Sequence, residues 1–341
     1  MNQPNRTLHR RARASGVSLI ELLVAVTIGG LLIFGATKVY VDSKATFEVN
    51  ETAARLQETA RYALSVMEPD LRMANYLGLI KGGHMVTGKH PQTDASTGVA
   101  QLCGNNFAQD IETSLEASDN SYSLGCGAFG AGAVASADTV TVRRAAIAPS
   151  SGSGTDRLRI CSTRTAVWLV TDTGALGCTG TGSQINDLVV NTYYVDQDST
   201  QRAGLPSLRR RPLGSVGGAP QFLDDEEIIP GIEDMQVQFG VDLGPDRNGS
   251  AQRYINPSGL ASLADVDQIV AVRIWLLVRA ENPEVGFRDN RTYEYGDRST
   301  TTGTTDDLNA ADADGRAYAP ADGFRRMLVS RTIQLRNSMG T

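Results

Sequence analysis

Glu21 is a carboxylate in an apolar place. It lies four residues inside a run that begins at Val17 and carries no other charge as far as Thr37. At the centre of a bilayer such a charge costs about 2.5–3.5 kcal/mol, so it needs a compensating role. In a low-dielectric helix bundle the carboxylate is tolerated when an opposite charge neutralises it.

Other candidates for chemistry are weaker. A hydrolytic centre needs a nucleophile, a base and an orienting acid, or metal ligands at suitable spacing. His9 lies at the N-terminus, and His84 and His90 fall in a loop-like stretch, Lys81–Pro91. With no third nitrogen ligand and no HExxH pattern, exposed loop histidines are expected rather than a catalytic metal. Gly83 to Lys89 reproduces the glycine and lysine spacing of a phosphate-binding loop, but His90 replaces the hydroxyl that would hold magnesium and no apolar strand precedes it. Asp242, Asp246 and Asn248 put three oxygen side chains near a turn. Their spacing is wrong for an EF-hand and no glutamate closes the set, so a turn between strands is the favoured reading and a weak calcium site the alternative. Asp312 and Asp314, ahead of Gly315, read the same way. No catalytic residue and no cofactor is expected beyond that calcium alternative.

Four cysteines, Cys103, Cys126, Cys161 and Cys178, match no CxxC zinc spacing. An even number in an exported body reads as two disulfides. Of three connectivities the sequential one is preferred, 103 to 126 and 161 to 178, each bridge contributing roughly 3 kcal/mol in the chain-entropy description. Four reduced thiols would require a cytoplasmic body.

Val17 to Val41 spans 25 residues, about 37 Å of helix, against a hydrocarbon core of about 30 Å. Residues 1–16 contain Arg6, Arg10, Arg11 and Arg13 and no acid, leaving 28 basic against 38 acidic residues in the remainder. The positive-inside rule holds that basic end in the cytoplasm and sends the rest outward. An acidic body is not expected to seek nucleic acid. No A-x-A site follows the apolar core, as an ordinary secretory signal requires, and no lipoprotein cysteine follows it.

The leader ends in Ser15-Gly16, and Gly16-Val17-Ser18-Leu19-Ile20-Glu21-Leu22-Leu23-Val24-Ala25 resembles the class III signal of type IV prepilins and type II secretion pseudopilins. The resemblance implies cleavage after Gly16 by a prepilin peptidase and methylation of the new terminus, Val17, where most members have Phe. It also implies that Glu21 pairs with the terminal amine of a neighbouring subunit, a charge that only a processed chain possesses. Gly29, Gly30 and Gly35 could let neighbouring helices approach closely or permit local unwinding, and serve equally as ordinary membrane-helix glycines.

Beyond the membrane run, Val49, Ala53, Leu56, Ala60, Ala63, Leu64, Met67 and Leu71 recur mostly at three and four residues, an amphipathic stripe that predicts a helix ending before Gly78, with Pro69 the place for a bend. From residue 138 onward strand signals dominate, in 138–145, 157–162, 166–170, 187–195, the alternating 235–241, the nearly continuous apolar run Ile269–Val278, and Met327–Leu335. Segments 55–78 (RLQETARYALSVMEPDLRMANYLG), 226–242 (EEIIPGIEDMQVQFGVD), 271–280 (AVRIWLLVRA) and 325–337 (RRMLVSRTIQLRN) resemble the PilW group of minor pilins. Residues 82–185, which hold all four cysteines, resemble nothing in that group.

The expected fold is therefore α+β and pilin-like, one long N-terminal helix packed on a head rich in antiparallel sheet. Its divisions are a cleaved leader 1–16, a membrane and assembly helix 17–41, an amphipathic stalk 42–77 and a periplasmic head 78–341, with any special binding activity assigned to 82–185 or the 286–323 loop. The resemblance implies a non-enzymatic minor pilin in a priming and tip complex that starts pilus assembly. Its partners would be other minor pilins, the major pilin, prepilin peptidase, the inner-membrane assembly platform and, before assembly, membrane lipid. The location implied is the inner membrane with a cytoplasmic N-terminus, then the pilus tip. Two rivals differ: a J-like minor pseudopilin of type II secretion shares leader and fold, and a signal-anchored periplasmic enzyme or binding protein would keep its leader intact.

Overall fold

Where the apolar run starts, the helix starts. A computed structural model describes residues 16–80, 86–89, 103, 110–150, 156–170, 178, 182–216, 219–222, 225–246, 248–263, 268–298 and 317–337. Helix α1 spans Leu19–Arg72, 54 residues with Pro69 in its last turn. It stops short of the stalk boundary drawn at residue 77. Pro69 supplies no N–H to the ladder, Met73 N–H is shared between the carbonyls of Pro69 and Asp70 at 3.2 Å each, and Asn75 turns into the left-handed region at φ 64°. Gly78 follows at φ 95°, where a side chain would collide with Ser162.

The chain divides into two compact units, Met1–Ala53 and Ala54–Thr341. In the second, α1 buries Leu56, Ala60, Ala63, Met67 and Leu71, the stripe expected from the spacing. These residues belong to a core that also takes in Val237, Phe239, Val272, Ile274, Val140, Tyr193 and Ile333. Each large apolar side chain so buried contributes about 1.5–3 kcal/mol.

A nine-stranded sheet contains β1 (Val86–Lys89), β2 (Leu115–Ser118), β3 (Thr139–Pro149), β4 (Arg159–Ser162), β5 (Val167–Val170), β6 (Gln184–Asp196), β7 (Ser207–Val216), β8 (Ala219–Phe222) and β9 (Glu226–Pro230). β6 is its axis: β3 runs antiparallel along one edge, while the other edge takes β4 at Gln184–Asp187 and β7 at Asn191–Asp196. A second, wholly antiparallel sheet has the order β11 (Arg253–Ile255), β10 (Ile232–Val241), β12 (Ile269–Arg279), β13 (Arg326–Gln334). In β12 alternate residues face two apolar layers, Ile274 and Leu276 the main core and Leu277 the ring faces of Tyr293 and Tyr295. That double burial is why Ile269–Val278 reads as continuously apolar.

Two expectations need correction. Val86–Lys89, inside the stretch read as a loop, is a strand parallel to β5. β7 went unread because Ser207–Val216 carries Arg209, Arg210 and Arg211 in succession. The strand exists because its acids lie across from it: Arg209 pairs with Asp225 and Glu227, and Arg210 with Glu226. A second cluster, with Leu77, Ile111, Ile160, Leu169 and Val190, fills the part of the head near the cysteines.

One polar group interrupts the helix stripe. Asp70 is buried, accepts Arg144 Nη2 at 2.6 Å and Nε at 3.1 Å, and receives the Asn191 amide and the Tyr193 hydroxyl on its other oxygen. It ties α1 to β3 and β6. Asp70→Asn should destabilise the detergent-solubilised chain in urea by about 3–5 kcal/mol, because Arg144 is left partly buried and unpaired. A second change, Arg144→Met, should recover part of the loss; a single-variant cost below about 1 kcal/mol would show that water already screens the pair.

Candidate assembly segment

The N-terminal segment is built from the start of α1. Leu22 N–H donates to Ser18 carbonyl oxygen at 3.0 Å, so the helix ladder begins at Ser18. Ser18 and Glu21 have the serine and glutamate spacing of a helix N-terminus, and the positive end of the helix dipole favours a carboxylate in this first turn. Gly16 and Val17 precede the helix in extended form. The site residues Gly16, Val17 and Glu21 are thus consecutive with the helix start, and all three are exposed.

Leu19–Thr37 presents apolar side chains on every side, with Leu31, Ile33 and Phe34 each about 70% exposed. A contiguous apolar surface of this kind needs a cover of lipid or other helices. Thr27 and Thr37 direct their hydroxyls back onto the carbonyls of Val24 and Ile33 at 2.9 and 2.8 Å, which leaves no free polar hydrogen on the span. Nothing lies within 4 Å of where side chains on Gly29, Gly30 or Gly35 would stand. Among the described residues this is the one helix long and apolar enough to cross a membrane.

In the head, Cys103 is bonded to Cys126 and Cys161 to Cys178, with Cα separations of 4.2 and 5.6 Å. Cys161 lies on β4 opposite Trp168 of β5, and both bridges close short loops in the part of the chain that resembles nothing in the PilW group. Asp242 is buried, and its carboxylate accepts the N–H groups of Gly244 at 3.0 Å and Gly249 at 2.8 Å, while Asn248 accepts Ser250 N–H and Asp246 is exposed. The arrangement is a side-chain-capped turn after β10. Among the described residues no three His, Cys, Asp or Glu side chains are grouped to hold a metal ion. His9, His84, His90, Asp312 and Asp314 lie outside the described residues.

A cleft of about 490 Å³ opens beside β10 and β12, lined among others by Asp198, Glu233, Asp234, Arg279, Arg298 and Tyr318. Its floor is self-neutralised, Glu233 with Arg279 and Asp234 with Arg298. The exposed Asp198 carboxyl is held below the usual carboxylate range by the backbone N–H groups of Gly204 and Ala131. Sequence reading missed Asp70, Asp138 and Asp234; the available signal was an acidic residue at an inward position of an amphipathic element.

A prokaryotic N-terminal methylation motif matches residues 11–37, the stretch holding Gly16, Val17 and Glu21. A family model described as type IV pilus-assembly protein W matches residues 192–337, which run from the second half of β6 to the end of β13. The chain belongs to the PilW family. No curated protein matches it. Among solved structures it is similar to a type IV-like pilin, TTHA1219 from Thermus thermophilus, at 13% identity and TM-score 0.39, covering 84% of this chain and all of that one. Membership of a type IV pilin family and the methylation motif together imply processing by a prepilin peptidase and association with other pilins, and the apolar helix supports membrane anchoring by a single N-terminal span.

Elsewhere in the head, burial pushes Asp196 up to about 6, although Asp198 N–H and Arg209 oppose the rise, and its Oδ2 has no hydrogen-bond partner. The folded carboxyl is therefore protonated in a range where the unfolded one is not, so its penalty is absent below pH about 4 and fully present above pH about 6. Asp196→Asn should gain stability over the parent as pH rises through that window, read from urea midpoints at its two ends. A constant gap would mean that Asp196 ionises normally.

Proposed function

We propose that this PilW-family chain is a minor pilin that joins other minor pilins in the complex that primes a type IV pilus and stays at its tip. The observation that carries the reading is Glu21, a lone carboxylate in the first turn of an otherwise apolar, fully exposed helix, immediately behind the processing site at Gly16 and Val17. In lipid that charge is costly for a lone helix, and the cost is offset when a neighbouring subunit brings its amine to Glu21. Only a chain cut after Gly16 has such an amine at Val17, so pairing selects processed subunits.

The mechanism is non-enzymatic. Apolar packing bundles the membrane helices, and the head, braced by two disulfides, selects neighbours by surface and charge complementarity. The topology that follows has residues 1–16 in the cytoplasm, one span, and the head in the periplasm before the subunit enters the pilus with the major pilin through the inner-membrane platform. Motility and adhesion would be properties of the filament.

Glu21→Ala should insert and be cleaved normally, giving a mature terminus at Val17 by N-terminal sequencing, yet fall about tenfold or more in sheared pili, since losing 1.4 kcal/mol of pairing is a tenfold loss. Unchanged incorporation would refute the charge pairing. A mature chain that begins anywhere other than Val17 would refute the filament reading as a whole.

A further inference from the structure

Away from the assembly segment, the least compensated charge in the head lies where residues 280–325 cross the second sheet. β12 and β13 are antiparallel neighbours with Arg279 opposite Arg326, so 280–325 is one long excursion between paired strands. Its described part is fastened to β10 and to the β2–β3 turn. Tyr295 donates its hydroxyl to Asp234, Arg298 pairs with Asp234 and donates to Ser136 carbonyl oxygen at 2.7 Å, and Asp297 accepts the Asn120 side-chain amide. Asn120 also donates its backbone N–H to Asp138 at 2.9 Å, and Val237 N–H donates to the second oxygen of Asp138 at 2.8 Å.

Asp138, Asp234 and Asp297 are 1%, 4% and 5% exposed. Half-buried Asp119 accepts from the same Asn120. Among the described residues the cation that pairs with this group is Arg298, because the neighbouring Glu233 is engaged by Arg326 and Arg279. Buried charges persist when they are paired or when a proton neutralises them, and carboxylates packed together raise one another's affinity for that proton.

We infer that this carboxylate cluster holds a shared proton and works as a pH-sensitive latch, closed on the Tyr293–Arg298 segment when protonated and loosened when the proton leaves. Burial pushes Asp138 well above the usual carboxylate range, with Asp297 and Asp119 adding to the rise and the two backbone N–H groups opposing it. Burial likewise raises Asp234 against the pull of Arg298 and Tyr295. A folded-state affinity raised in this way contributes stability that is complete at low pH and is lost as pH rises through the raised value. The latch therefore tightens on acidification, opposite to an ordinary carboxylate salt bridge.

Amide hydrogen exchange on the full detergent-solubilised chain tests this, measured from about pH 5.5 to about pH 7.5, corrected for intrinsic rates and with β12 amides as the control. Protection of Tyr293–Arg298 should fall about tenfold across that range while β12 stays constant, and Asp297→Asn should cut the fall to about threefold or less. Asp119→Asn, at a half-buried position, should also reduce it and serves if the first variant folds poorly. A flat parental profile, an equal fall in both variants, or a fall shared by β12 would overturn the latch. Protection restored at the upper pH by millimolar calcium would assign the neutralising charge to a metal and overturn it too.

Discussion

The second unit rests on one act of burial, the removal of Leu56, Ala60, Ala63, Met67 and Leu71 from water beneath a core to which both sheets contribute. A four-stranded antiparallel sheet with one apolar face is not stable alone in water, and an amphipathic helix with its stripe exposed is no better. Each supplies the cover that the other lacks. Because the same core includes Val140 and Tyr193 of the nine-stranded sheet, the helix also fixes how the two sheets share one interior. Asp70 sits in the line of that stripe, and its two oxygens are filled by donors from β3 and β6, so a polar group marks the place where helix and sheet must meet in a single register.

Charge, rather than apolar area, specifies much of the remaining head. Arg143, Arg159, Arg209 and Arg326 are almost wholly buried, each beside a carboxylate: Glu116, Asp187, Asp225 and Glu233 respectively. Buried pairs of this kind add little net stability compared with apolar contacts. They are nevertheless intolerant of error. A one-residue slip turns every side chain of a strand to the other face, and in β7 it would separate Arg209 from both Asp225 and Glu227. The long 280–325 excursion is governed by the same logic, since its attachment to β10 runs through Glu233 and Asp234.

The N-terminal unit follows a different rule. Its apolar side chains have no cover within the chain, and its hydroxyls are turned back onto its own backbone. Such a surface is complete only in a bilayer or a bundle of like helices. Glu21 is the one group on it that distinguishes those environments, because lipid offers no partner for a carboxylate and a processed neighbouring subunit does.

How much of this was legible beforehand depends on the range over which each signal acts. The span, its cleavage motif, Glu21, the stalk stripe and the strands at 138–145, 235–241 and 269–278 were readable because periodicity and local motifs are written in neighbouring residues, and the helix and strand periods turn them directly into exposed or buried faces. The strand at Ser207–Val216 and the inward positions of Asp70, Asp138 and Asp234 were not readable. A run of arginines is solvated by default, and only partners brought from distant parts of the chain, Asp225 and Glu227 for Arg209 or Asn191 and Tyr193 for Asp70, make burial favourable. The sequence by itself determined which faces are apolar and where the chain can be cut and anchored; tertiary structure alone decided which charges are buried together, because that depends on contacts across many residues that no local pattern encodes.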